Sequence, residues 1–222
     1  GAGQVEAVGG TKNPDVARVI ALRPDLVLAN REENTRPRIE RIAARVPVLL
    51  TDPGSPADVP GLWRELGAVC GCETEAERRA LDVEEELGQS AGPPTVPPPR
   101  FVYWIWRDPW MAAGHDTYVS RLLTAAGWAN ALPSRWRRYP RVDPAAAIGW
   151  AGTTLLFASE PYCFRLPRDL DAFPGRTVED GPRRWRLAGG MLALEVDGQV
   201  LSWYPSLTLE GLRAAAALRR SI

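Results

Sequence analysis

Histidine is almost absent: His115 is the single one in 222 residues. That excludes a His-rich metal site and any catalytic triad that uses more than one histidine. Cysteine is scarce too. Cys70, Cys72 and Cys163 make an odd number, which argues against a disulfide framework. Cys70-Gly71-Cys72 is too closely spaced and too isolated for a four-ligand zinc site, so free, partly buried thiols are expected. Net charge is also missing, because 27 basic residues face 27 acidic ones. Without a basic excess, nucleic acid is not an expected partner; without an acidic excess, disorder is not expected either. No apolar run approaches the length of a membrane span. There is no low-complexity tract and no short-period repeat.

Tryptophan is what the chain has in quantity, nine in all. Residues 101–111 read FVYWIWRDPWM, which places Trp104, Trp106 and Trp110 within seven positions. Such a cluster is either core packing or a wall for a flat ligand. Alternate residues of a strand face opposite sides, so Trp104 and Trp106 share one face and Tyr103 and Ile105 the other. Trp110 follows a turn, where a large apolar group needs a reason. It is read as ligand-facing, with the adaptable Met111 beside it.

The first half alternates helix and strand. Asn13-Pro14-Asp15 reads as a helix start, with Asn as cap, Pro at the first position and Asp at the positive end. A strand at 25–29, a helix at 38–45, a strand at 47–51 and a helix at 56–69 follow. Short apolar strands between helices predict an α/β fold with mainly parallel sheets. Residues 73–90 form a charged helix without a wide apolar face, of the kind that can bridge two lobes. AGPPTVPPP, at 91–99, is stiff and extended. The expected division is therefore a lobe at 1–72, a backbone helix and linker at 73–99, and a second lobe at 100–222. The second lobe reads as a strand at 100–106, a helix at 116–127 and a short helix capped by Asp143. A strand at 153–159, a strand ending in a turn at Asp197-Gly198, and a helix at 206–220 complete it.

Open α/β sheets bind ligands at the C-terminal ends of their strands. Three loops lie there: NREEN with Asn30 and Arg31, RDPWMAAGHD, and EPYCF with Glu160 and Tyr162. Two lobes facing these loops into one cleft would enclose a ligand. No catalytic acid–base pair, nucleophile or metal set emerges, Glu160 with His115 being the only pair to nominate. A binding protein, not an enzyme, is expected.

VGGTKNPDVARVIALRPDLVLANREEN, IWRDPWMAAGHDTYVSRLLTAAG and SWYPSLTLEGLR together resemble the helical-backbone substrate-binding proteins of ABC importers. The similarity is greatest to the cobalamin-binding-protein-like branch, also called helical backbone metal receptors. The resemblance implies a class III periplasmic-binding-protein-like fold, with two lobes joined by one long helix. It implies capture of cobalamin or another corrinoid, haem, or a ferric or other metal chelate in the inter-lobe cleft. That molecule is cargo, and no catalytic cofactor is implied. It carries Trp110 and Met111 onto the family's cleft wall and Tyr139 onto a cleft aromatic. Trp203 and Tyr204 fall at the rim, and Trp106 adds to the aromatic set. Asn30 and Arg31 replace a ligand-facing aromatic, which makes the pocket more polar. His115 is either an axial ligand to iron or cobalt or a surface residue before a helix; the second reading is preferred.

Two departures accompany the resemblance. Family members usually begin with a further strand–helix–strand, whereas eight residues precede Gly9 here, so a fragment is expected. The positions of the two permease-docking glutamates fall on Ala17 and Ala145, neither of which can form a salt bridge. A monomer that is periplasmic or at the cell surface, partnered by a permease, is one expectation. The alternative is a cytoplasmic tetrapyrrole- or corrinoid-binding protein or enzyme on the same fold, uncoupled from a permease.

Overall fold

A computed structural model describes residues 5–90 and 97–222. Residues 91–96 of the proline-rich segment lie outside the described residues. The chain divides into two compact units, Gly1–Asp52 and Pro53–Ile222.

In the first unit, β1 (Gly9–Gly10) pairs antiparallel with β2 (Asn13–Pro14), and α1 (Val16–Ala21) follows. The helix starts later than Asn13-Pro14 suggested. Those two residues pair back onto the glycines, and Asp15 becomes the cap, its carboxylate accepting from the Arg18 amide at 3.1 Å. Gly9 takes φ +99 in this pairing, where a side chain would be strained and a Cβ would stand 2.9 Å from the Asn13 carbonyl oxygen. β3 (Val27–Asn30), α2 (Arg36–Ala43) and β4 (Val48–Thr51) form a βαβ unit, and β3 and β4 pair in parallel. The core of this unit is small: Val16, Val19, Ile42 and Val46.

The second unit opens with α3 (Val59–Cys70) and α4 (Glu73–Ser90), the latter matching its predicted bounds. α4 is not apolar on a wide face, but Ala76, Ala80 and Val83 are buried along a narrow one. The small residues let α3 approach, and a Cβ on Gly67 would stand 2.4 Å from that of Ala76. Opposite charges flank this seam, Arg64 bridging Glu77 and Glu84 at 2.7 Å each.

The remaining elements are β5 (Arg100–Trp106), β6 (Met111–Ala112), α5 (Tyr118–Ala125), β7 (Ala129–Asn130), β8 (Thr154–Ala158), β9 (Val178–Gly181), β10 (Arg184–Arg186), β11 (Leu192–Val196), α6 (Gly198–Ser202) and α7 (Thr208–Arg220). They build a seven-stranded sheet in the order β6-β5-β8-β11-β10-β9, with β7 also on β5. β5, β8 and β11 run parallel, while β6, β10 and β9 add antiparallel edges. The α/β class holds, with the parallel strands at the centre. All five residues of β8 are buried, as an unbroken apolar run requires. One face packs Phe101, Tyr103 and Leu156 against residues of α5 and α7. The other packs Trp104, Phe157, Phe164 and Phe173.

Two local expectations change, and one further element appears. Asp197-Gly198 is a helix start, since the Asp197 carboxylate accepts from the Gln199 and Val200 amides and caps α6. The cysteines are exposed, not partly buried. The β9–β10 hairpin, which turns at Pro182-Arg183, is an element the sequence reading did not include.

Candidate functional site

The C-terminal ends of β5, β8 and β11 lie side by side, because the three strands are adjacent and parallel. The segments that leave them carry most of the candidate residues. Trp106 ends β5, and Arg107 and Trp110 follow it; after β8 come Glu160 and Tyr162; after β11 and α6 come Trp203 and Tyr204. The loop after β8 is pinned across the end of β5 by the Tyr162 amide, which donates to the Ile105 carbonyl at 3.3 Å.

Trp104 and Trp106 do not share an environment. Trp104 is 0% exposed and Trp106 is 39% exposed. The register between β5 and β6 shifts between these two residues, Trp104 pairing with Ala112 and Trp106 with Met111. That irregularity ends the core at Trp104 and leaves Trp106 at the rim. Its ring meets Tyr162 edge-on at 5.9 Å. Tyr162 in turn leans on Phe164 at 4.7 Å and receives a hydrogen bond from Arg168 at 3.3 Å.

Trp110 is half-buried. It stacks on Phe164 at 5.7 Å, meets Trp104 and Phe173 edge-on, and lies under the Arg107 guanidinium at 5.5 Å. It therefore closes one end of the aromatic core while keeping part of its surface free. Of the nine tryptophans, only Trp106 and Trp203 are exposed. Tyr204 packs against Tyr118 at 4.5 Å and is largely a core partner. Glu160 accepts from the Gln199 side chain at 3.1 Å.

Arg107 also braces the loop after β8. It bridges the fully buried carboxylate of Asp169, and pairs with Asp171 at 3.1 Å. Burial works against the charged form of Asp169. The hydrogen bonds from Arg168, the Arg165 amide and Arg107 together outweigh it, and the carboxyl lies below its ordinary range. Burial pushes the Tyr103 phenol well above its ordinary value, which keeps it neutral.

Beside β6 runs the segment that carries Tyr139. Met111 and Arg141 form an antiparallel bridge flanked by the Ala112 amide to Pro140 carbonyl and Val142 amide to Trp110 carbonyl bonds. Met111 and Tyr139 are both half-buried, and the Arg138 guanidinium lies over the Tyr139 ring at 5.7 Å. This basic segment was not singled out in the sequence, though SRWRRYPR was visible there.

Asn30 and Arg31 belong to the first unit. The Asn30 side chain accepts from the Glu32 and Glu33 amides at 2.9 and 3.1 Å and so shapes its own loop. Arg31 pairs with Asp52 at 2.9 Å. His115 is half-buried, with Nε2 at 2.8 Å from the Leu132 carbonyl, a structural bond. Among the described residues no group of three or more His, Cys, Asp or Glu could hold a metal ion, and no helix is long and apolar enough to cross a membrane.

A family model described as periplasmic binding protein matches residues 2–165. A vitamin B12-binding protein of Pectobacterium carotovorum subsp. carotovorum (strain PC1) is 33% identical over 87 residues, covering 39% of this chain and 32% of that protein. Another, of Vibrio parahaemolyticus serotype O3:K6, is 25% identical over 144 residues, 64% of this chain and 52% of that protein. The matched stretch thus spans about a third to a half of these relatives. Among solved structures, the periplasmic vitamin B12 binding protein of Vibrio cholerae superposes with a TM-score of 0.75 at 12% identity, over 99% of this chain and 83% of that one. The periplasmic heme-binding protein from Roseiflexus sp. RS-1 superposes at 0.73 with 22% identity and the same coverage. At these identities the structural likeness is one of fold.

Proposed function

The chain belongs to the periplasmic binding protein family, and from that premise we propose that it is the substrate-binding protein of an ABC importer. In this reading it captures a corrinoid, a haem or a metal chelate and transforms nothing. The observation that carries the reading is the aromatic rim: Trp106, 39% exposed, edge to face with Tyr162. A partly exposed tryptophan with a tyrosine beside it, at the C-terminal end of a parallel strand, suits a flat partner. Binding proteins named for vitamin B12 and for heme share the fold, which supports flat tetrapyrrole-like cargo.

The mechanism is adsorption of a flat face on Trp106, with the Tyr162 ring set edge-on beside it and the Glu160 carboxylate accepting hydrogen bonds from donors on the ligand. The Arg107–Asp169–Arg168 brace holds the two strand-end loops in place before the ligand arrives. Such preorganisation reduces the ordering cost of binding. Release to a permease in the periplasm or at the cell surface belongs to the same reading.

A second reading has one observation in its favour. Ala17 and Ala145 are exposed and occupy the positions where the resemblance placed docking glutamates. On that reading the chain binds the same ligands without coupling to a permease. The test is a titration with cobalamin, cobinamide, haem and ferric siderophores, followed by tryptophan fluorescence and confirmed by calorimetry. Saturable quenching that Trp106→Ala removes is expected. No saturable response to any of the four would overturn the binding proposal.

A further inference from the structure

Acids and bases cancel over the whole chain but not along it. Residues 133–142, PSRWRRYPRV, hold four arginines and no acid. The segment is fixed against β6 and the turn after it: the Gly114 amide donates to the Arg138 carbonyl at 2.7 Å, and the Val142 amide to the Trp110 carbonyl at 3.0 Å. Gly114 allows this approach, since a Cβ there would stand 2.7 Å from the Trp136 carbonyl oxygen. The Arg138 backbone is held at φ +55, an unusual state for a side-chain-bearing residue, and its amide donates to Asp116 at 2.6 Å. The Asp116 carboxylate also lies 3.9 Å from the Arg137 guanidinium. Arg135 and Arg141 are exposed and make no ion pair among the described residues.

The pairing pattern aims part of this charge. Met111 and Arg141 are a non-hydrogen-bonded antiparallel pair, the kind whose side chains approach most closely and share a face. Met111 pairs in turn with Trp106 on β5. With strands about 5 Å apart, the Arg141 backbone lies roughly 10 Å from that of Trp106. This is the span of a flat macrocycle and its rim substituents. Arg138, lying over the Tyr139 ring, adds a second guanidinium next to an aromatic face.

We propose that Arg138 and Arg141 read carboxylates on the rim of the ligand, so that the cargo is a flat, carboxylate-bearing tetrapyrrole or chelate and not one with a neutral amide rim. The proposal rests on the reading of the strand ends as the ligand site. A guanidinium fork fits a carboxylate in bidentate fashion, while amide groups gain no charge assistance from it.

The test is calorimetry of the full chain with iron(III) protoporphyrin IX, its dimethyl ester and cobinamide, in low and high salt. The diacid is expected to bind at least tenfold more tightly than the diester, with an advantage that shrinks in salt. The Arg138→Gln/Arg141→Gln variant, and Arg141→Gln alone to a lesser degree, should remove that advantage while leaving the diester affinity and the melting temperature unchanged. Equal affinity for diacid and diester, or binding of cobinamide alone, would overturn the role of the arginines and leave the ligand site standing. Binding of none of the three would overturn both.

Discussion

Replacing Trp104 by alanine removes a ring that is 0% exposed and packs on Trp110, Phe157 and Phe173. The expected loss of unfolding free energy is about 3–5 kcal/mol, read from chemical denaturation. Trp104→Phe should cost far less. The Trp104 indole N–H is buried without a hydrogen-bond partner, so phenylalanine removes an unmet donor along with some volume. A Trp104→Phe loss as large as that of alanine would show that indole shape, not apolar area, matters there. Trp106→Ala should behave in the opposite way, with stability changed by less than about 1 kcal/mol and ligand quenching lost. Strand alternation made the two tryptophans equivalent in the sequence. What separates them is a register shift against a two-residue strand, set by tertiary pairing that no local pattern records.

At the scale of an element, the loop after β8 depends on one buried charge. Asp169→Asn removes the negative charge shared by the Arg107 and Arg168 guanidinium groups and turns one acceptor oxygen into a donor facing them, and a loss of about 3 kcal/mol is expected. The pH dependence has a definite sign. The folded carboxyl lies below its ordinary value, so its contribution is present above about pH 4 and is lost as pH falls through the depressed folded value. The stability gap between the wild-type chain and Asp169→Asn should therefore narrow in acid; a gap that widens would refute the assignment. The seam between α3 and α4 makes a steric counterpart. Gly67→Ala drives a methyl toward Ala76 and should destabilise by roughly 1–3 kcal/mol, a loss absent for Gly61→Ala, whose added methyl meets open space. Elements of this kind were the legible part of the chain. α4 and β5 were bounded correctly because charge periodicity and an unbroken apolar run are local signals. β6, β7 and the β9–β10 hairpin were not, because strands of two to four residues exist only through their partners. The candidate site was legible as strand-end loops. The burial that sorts Trp110 and Tyr204 toward core packing and Trp106 toward the rim required the fold.

Over the whole molecule, the two compact units differ in what they bury. The Pro53–Ile222 unit has two extensive aromatic and aliphatic clusters on either side of β5, β8 and β11. Among its described residues the Gly1–Asp52 unit buries a small cluster, Val16, Val19, Ile42 and Val46, together with Ala29, and Leu28 and Leu50 of β3 and β4 remain 55% and 44% exposed. Burial of apolar surface is the main term opposing chain entropy, and a unit this short gains little from it. Local opening should follow that difference. Native-state hydrogen exchange is therefore expected to show the amides of β3 and β4 exchanging at least tenfold faster than those of β8 and β11, whose residues are mostly or wholly buried. A saturating ligand that binds only at the strand ends of the second unit would slow exchange in β8 and β11 and leave the ratio larger. A ligand that instead slowed β3 and β4 most would show that Asn30, Arg31 and their loop take a direct part in binding, and would give those two residues the role the sequence first assigned them.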